Sequence, residues 1–277
     1  MSNTGVSGTP SQSPDPSVLQ AADMNDSYYY NPDLLQDHVR QLSEEGYLVR
    51  ENVLFGEKLE RLRNAVDEVS AKARSSQFLE KSGFGGLFVR NLLDQHETFH
   101  ELLDFSPNLT LARAVLGNRL QVHAFFMRVA CPEMKNQEVA WHFHQRLEMS
   151  SNRNPVFQPI VLDYLMYLDD VTFENGPLVV LPGSHLSQSK LGKRDFSDKP
   201  GQIPLTPKAG SCVAMQGATW HRALPTLPGS PTRRVLMIAY SPTWMQQADV
   251  PASGLSNALR SSENRNIREL LGAGSAR

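Results

Sequence analysis

The residues best placed to do chemistry are two histidines two positions apart, His142 and His144 in Trp141-His142-Phe143-His144-Gln145. Side chains on a strand alternate with period two, so imidazoles at this spacing point the same way and can meet one metal ion. A third ring, His221 in Trp220-His221-Arg222, stands far downstream. Eight histidines scattered at random would rarely give such a pair with a third so placed. Other reactive-looking groups have plainer readings. Asp169 and Asp170 are adjacent and face opposite ways on a strand end, which suits a solvated turn better than an acid/base pair. Gly83 to Gly86 could cradle a phosphate, but the run lacks the spacing of a nucleotide fingerprint, and a loop near a barrel mouth needs glycine anyway. His123, alone in an apolar strand, and His185, after the turn Pro182-Gly183-Ser184, read as structural.

Two segments carry a likeness to a known family. The block from Glu174 to Leu186, ENGPLVVLPGSHL, and the later HRALPTLPGSPTRRVLMIAY from His221 to Tyr240 resemble the phytanoyl-CoA dioxygenase (PhyH) family of iron(II)- and 2-oxoglutarate-dependent oxygenases. The resemblance runs over roughly residues 30–245, nearly the whole chain. It implies that His142 and His221 are metal ligands, leaving open positions for 2-oxoglutarate and O2. It also implies an arginine to grip the far carboxylate of 2-oxoglutarate, a task for a planar fork with two parallel donors. Arg233, twelve positions after His221, is the candidate, and strand parity sends Arg234 to the opposite face. Ala223 stands where the family often has a small hydroxyl residue.

One departure bears on the metal. Where the family writes His-x-Asp, this chain reads His142-Phe143-His144. An imidazole in place of the carboxylate leaves the site with one more unit of positive charge. Three outcomes follow: His144 coordinates as a third imidazole, it turns away and leaves a position for water or an anion, or the site is too weak to hold iron. A second register, with Arg146 in the acid's slot, is worse for a cation, and Glu148 is a nearby carboxylate that could substitute.

Positioning these residues calls for strands with flanking helices. Leu35, Val39 and Leu42 share one helical face that ends at Gly46, and Leu59, Leu62, Val66 and Val69 mark a second amphipathic helix after the strand Tyr47–Arg50. Asn108 to Leu116 reads as another helix, stopped by Gly117. Leu120–Val129, Pro159–Leu168, Pro177–Leu181, Gly210–Gln216 and Arg233–Tyr240 read as strands separated by Gly, Pro and Asn turns. The resemblance names the result: a mainly β fold with flanking helices around a double-stranded β-helix, a jelly-roll and cupin-like core of eight main strands. Lys190 to Pro207 reads as a solvated insertion that could lie over the site. Trp141, Phe143, Tyr164, Tyr167 and Trp220 are expected to wall the pocket, although core packing explains them almost as well.

The totals narrow the partners. The 277 residues divide into a Ser/Pro-rich tail over 1–25 read as disordered, one oxygenase domain over 26–250, and a helical or flexible segment over 251–277. A formal net charge of −2 without a basic run argues against nucleic acid, and no apolar run approaches a membrane span. A small-molecule substrate is expected. Two cysteines without paired spacing and no signal-peptide pattern point to a reducing cytoplasm. Two functions remain: an Fe(II)/2-oxoglutarate oxygenase acting on an unactivated C–H bond of a small hydrophobic metabolite, such as one of secondary metabolism, or a binding module with a degenerate metal site. The second would act as a non-catalytic partner of an active paralogue, and a homodimer or such a heterodimer is open.

Overall fold

The computed structural model describes residues 31–75, 86–131, 133, 137–144, 159–186, 194–249 and 254–272. The tail over 1–25, Gly83 to Gly85, Gln145, Arg146 and Glu148 lie outside the described residues. Helix α1 (Pro32–Glu45) starts with proline in its first turn and with the Asn31 side chain accepting from the Asp33 N–H. It ends where Gly46 turns left-handed at φ 82° and donates its N–H to the Leu42 carbonyl. Strand β1 (Tyr47–Arg50) leads to α2 (Gly56–Ser75), whose Leu59, Leu62, Val66 and Val69 are all buried. Burying such a side chain stabilises by about 1.5–3 kcal/mol, so this stripe is enough to dock the helix on the sheet.

Strand β2 (Leu87–Arg90), two 3-10 turns and α3 (Ser106–Leu116) precede the long β3 (Leu120–Ala130). Then follow β4 (Val139–His142), β5 (Leu162–Tyr167), β6 (Leu178–Val180), β7 (Ile203–Leu205), β8 (Cys212–Gln216), β9 (His221–Ala223) and β10 (Arg233–Pro242). Helices α4 (Gly254–Arg260) and α5 (Arg265–Leu270) close the described chain. Among the described residues no helix is long and apolar enough to cross a membrane.

The strands form two antiparallel sheets, in the order β1-β8-β5-β10-β3-β2 and β4-β9-β6-β7. With β1 and β2 set aside as flanks of the larger sheet, four strands face four, the jelly-roll core expected from the sequence. Helical residues pack on one face of the larger sheet with Tyr164, Met166, Leu236 and Ile238. The other face meets the smaller sheet: Leu165, Tyr167, Val213, Met215 and Val235 pack against Leu178, Val180 and Leu205. This space between the sheets is where the functional side chains point.

The β3–β10 register slips, pairing Ala239 with Ala124 but Tyr240 with Val122, so His123 is the extra residue of a bulge. Its carbonyl leaves the ladder and accepts from the Ala248 and Asp249 N–H groups at 2.8 and 3.0 Å. The described part of the Lys190–Pro207 insertion does not cover the site. Asp195 accepts the Trp141 N–H at 2.8 Å, Ser197 accepts from the Trp141 indole at 2.8 Å, and Arg222 donates to Phe196 and Asp198. Trp141 and Arg222 alternate with His142 and His221, so this strap lies on the outer face of the smaller sheet.

Candidate metal centre

His142 on β4 and His221 on β9 are direct cross-strand partners, and Val180 of β6 continues the same row. Paired residues of antiparallel strands share a face, so both rings enter the space between the sheets, with centroids 4.1 Å apart. His144 lies just past the end of β4, where its N–H donates to the Gly217 carbonyl at 2.7 Å and the Gly217 N–H donates to Val161 at 2.8 Å. These bonds carry it toward β5, with its ring 5.3 Å from His142 and 4.7 Å from His221. The three side chains each offer a ring nitrogen, all within 4.8 Å of one another.

The partners of the rings fix which nitrogen can ligate. His142 Nδ1 meets the Ala140 carbonyl at 2.9 Å, His221 Nδ1 meets the Thr219 carbonyl at 2.9 Å, and His144 Nδ1 meets the Asp163 carboxylate at 2.8 Å. Carbonyls and carboxylates accept, so each Nδ1 carries the proton and each Nε2 keeps the lone pair. Burial, reinforced by His144, holds His142 down to about 4, and burial holds His221 well below the ordinary imidazole range. These two rings are therefore neutral at physiological pH, the form that binds a metal. The donor set fits a divalent ion of borderline character such as Fe(II).

Beyond the triad, the inner face of the larger sheet is graded in rows roughly 7 Å apart. Ala124, Ala239 and Asp163 form one row; Phe126, Met237 and Leu165 the next; Arg128, Val235 and Tyr167 the third. Arg233, 4% exposed, follows at the start of β10 and donates Nε to the Asn175 carbonyl at 2.9 Å. Burial and then the neighbouring Arg233 push Arg128 down to about 10, so two guanidiniums share this end of the space. Between them the Tyr167 hydroxyl is buried without a hydrogen-bond partner among the described residues, and burial pushes it up to about 12. Paired cations and an orphaned hydroxyl suit a dicarboxylate such as 2-oxoglutarate. Arg234 takes the opposite face, bound to Asp169 at 2.7 Å and Asp67 at 2.8 Å.

The aromatic walls are corrected by the structure. Trp141, Trp220 and Phe143 pack together with Val179 on the outer face of the smaller sheet, and Tyr164 stacks on Tyr240 on the helical side. Only Tyr167 of the five enters the inner space, because residues adjacent to the inward-facing His142, His221 and Asp163 must face outward. The apolar lining beside His144 comes instead from Ala124, Val161 and Ala239 with Phe126, Ile160 and Met245. His185 donates from Nε2 to the Ser43 carbonyl at 3.0 Å, Asp169 binds Arg234, and Asp170 accepts from Lys208 and the Ala209 N–H. Their plain readings hold in this geometry. His123 is nearer the site than expected: its ring lies within electrostatic reach of Asp163 and His144, and its Nδ1 is buried without a partner among the described residues.

Asp163 and Arg128 escaped the sequence reading. Each is a lone charge inside an apolar run, Val161–Leu168 and Val122–Ala130. A charge in a strand buried on both faces must find a partner, and that was the available signal.

Residues 42–235 match the phytanoyl-CoA dioxygenase (PhyH) family. L-proline trans-4-hydroxylase of Streptomyces griseoviridis is 27% identical over 151 residues, covering 54% of this chain and 55% of that protein. Ectoine dioxygenase of Bordetella bronchiseptica is 25% identical over 240 residues, covering 74% and 75%. The chain thus spans about half the length of the first relative and three quarters of the second. Of the solved structures, the non-heme alpha ketoglutarate dependent carbocyclase SnoK from nogalamycin biosynthesis superposes with TM-score 0.58 at 21% identity over 75% of this chain and 84% of its own. The epimerase SnoN, in complex with Fe3+, alpha ketoglutarate and nogalamycin RO, gives 0.59 at 18% identity over 77% and 85%. These two likenesses speak for the fold, and the match across most of the sequence speaks for descent: the chain belongs to the phytanoyl-CoA dioxygenase family.

Proposed function

We propose that the chain is an Fe(II)/2-oxoglutarate-dependent oxygenase that oxidises a C–H bond of a small, largely apolar metabolite. The observation that carries this reading is the convergence of His142, His144 and His221, each with Nδ1 engaged by an acceptor and with ring nitrogens within 4.8 Å of one another. Iron(II) held there, with 2-oxoglutarate and O2, supplies the oxidising power, and succinate and CO2 are the by-products. Arg233 and Arg128 hold the carboxylates of the co-substrate, and the Tyr167 hydroxyl donates to it. Tyr167 also offers an answer to the hydroxyl missing at Ala223. It packs in the cluster that holds Leu178, the cross-strand partner of Ala223. At the other end of the row, Phe126, Ile160 and Met245 exclude water and orient the apolar body of the substrate.

The binding-module reading rests on His144 and Ala223, and a His144 ring in contact with both His142 and His221 weighs against it. Relatives named for a proline hydroxylation and an ectoine oxidation support a small-metabolite substrate. Cys131 and Cys212, both buried free thiols, are in keeping with a reducing cytoplasm. Anaerobic titration with Fe(II) and 2-oxoglutarate tests the reading. A weak visible charge-transfer band at one iron per chain, followed in air by succinate formation, is expected. Failure to retain iron, with no band, overturns it.

A further inference from the structure

Resting on the metal-centre reading above, we infer that Asp163 is the positioning residue that lets a histidine stand where the family uses an aspartate. The carboxylate absent from the first coordination sphere is present one bond further out. Asp163 Oδ2 lies 2.8 Å from His144 Nδ1, and the Asp163 side chain is 3% exposed. Its cross-strand neighbours on β10 and β8 are Ala239 and Met215, neither of which can satisfy a charge. A carboxylate in such a place is strongly disfavoured unless something donates to it, and His144 is the donor the geometry provides.

Two effects on the metal follow. The first is orientation: an acceptor-only group on Nδ1 holds the proton there and turns Nε2 toward His142 and His221. Asp163 is well placed for this, because β5 lies between β8 and β10 within the larger sheet and cannot shift easily. The second is charge. Three neutral imidazoles leave a divalent ion at +2, whereas two imidazoles and a carboxylate leave it at +1; an anion hydrogen-bonded to His144 restores the lower total for the cluster as a whole. Asp163 also lies within electrostatic reach of His142, so its field is shared by two of the three rings. The centre is thereby a three-histidine face with an outer carboxylate, and residues 144 and 163 together do what one aspartate does in the family pattern.

The test is a double-mutant cycle on Co(II) binding, read from the dissociation constant and the visible d–d spectrum of the full chain without 2-oxoglutarate or turnover. Asp163→Asn keeps the shape and removes the charge. In the wild-type background it is expected to weaken Co(II) on the order of 10–100-fold and to shift the spectrum. In a His144→Asp background, where a carboxylate already sits at position 144, the same change is expected to alter affinity by less than about threefold. Apo melting midpoints identify any variant that has lost its fold, and Asp163→Ser replaces Asp163→Asn in both arms if that occurs. Equal affinity and spectrum for wild type and Asp163→Asn overturn the inference while leaving the metal centre standing. An equal loss in both backgrounds also overturns it, since Asp163 would then act on the fold or the ion directly. A wild type that binds neither Co(II) nor Fe(II) removes the metal-centre reading itself.

Discussion

Arg233 and Arg234 are chemically identical and adjacent, yet they occupy unlike environments. One is buried among Arg128, Tyr167 and Asn175; the other is held by Asp169 and Asp67 on the helical side. Charge-assisted hydrogen bonds contribute about 1.5–3 kcal/mol each, so Arg233→Gln is expected to raise the KM for 2-oxoglutarate at least ~10-fold, while Arg234→Gln leaves it within about twofold. Steady-state succinate formation at varied 2-oxoglutarate distinguishes the two. Parity made this division legible in the sequence, as it did the shared direction of His142 and His144. Parity applied to the aromatic residues would have excluded Trp141, Phe143 and Trp220 from the pocket, for each adjoins one of the three inward-facing histidines. Asp163 and Arg128 were harder to place, because what makes them functional is a partner on another strand, and one sequence records no pairing.

At the scale of elements, the turn at Asn175-Gly176 links the two sheets to the Arg233 end of the site. The Asn175 side chain accepts from the Thr172 N–H and donates to the Asp170 carbonyl, while its own carbonyl accepts from Arg233. Gly176 sits at φ 80°, and a Cβ there would lie 2.9 Å from both the Leu224 carbonyl and Thr226 Oγ1. Gly176→Ala is expected to cost about 1–3 kcal/mol in urea denaturation and to raise the KM for 2-oxoglutarate, since the added methyl also approaches the Arg233 guanidinium. The positive φ was readable from the Asn-Gly pair. The bulge at His123 was not, because the slip is set by where β10 meets β3, and that pairing joins segments more than a hundred residues apart.

Across the whole molecule, acid acts on the layer that backs the site. His38 on α1 is held down to about 4, chiefly by burial and then by Arg50, and burial also lowers His185, whose Nε2 pairs with Ser43 of the same helix. A histidine whose folded pKa lies below its unfolded value binds fewer protons when folded, so stability rises with pH. The contribution is complete above about 6.5 and is lost as pH falls toward the folded value of about 4. The urea midpoint of the apo protein is therefore expected to drop between pH 7 and pH 5, and His38→Gln with His185→Gln to lessen that slope, the remainder coming from His142 and His221. The helices that make up this layer were among the most legible parts of the chain, since their apolar stripes have to match the sheet they cover. The strap along Trp141 was not legible, because a polar segment shows no period that names its docking face. Its seat has a consequence for solution behaviour. By accepting the Trp141 N–H, Asp195 occupies an outermost strand of the smaller sheet that would otherwise be open to a second molecule. Arg222→Ala, which releases the strap at Phe196 and Asp198, should therefore leave a chain that self-associates on storage, visible as growing light scattering. Solubility and catalysis would then depend on opposite faces of the same short ribbon of strands.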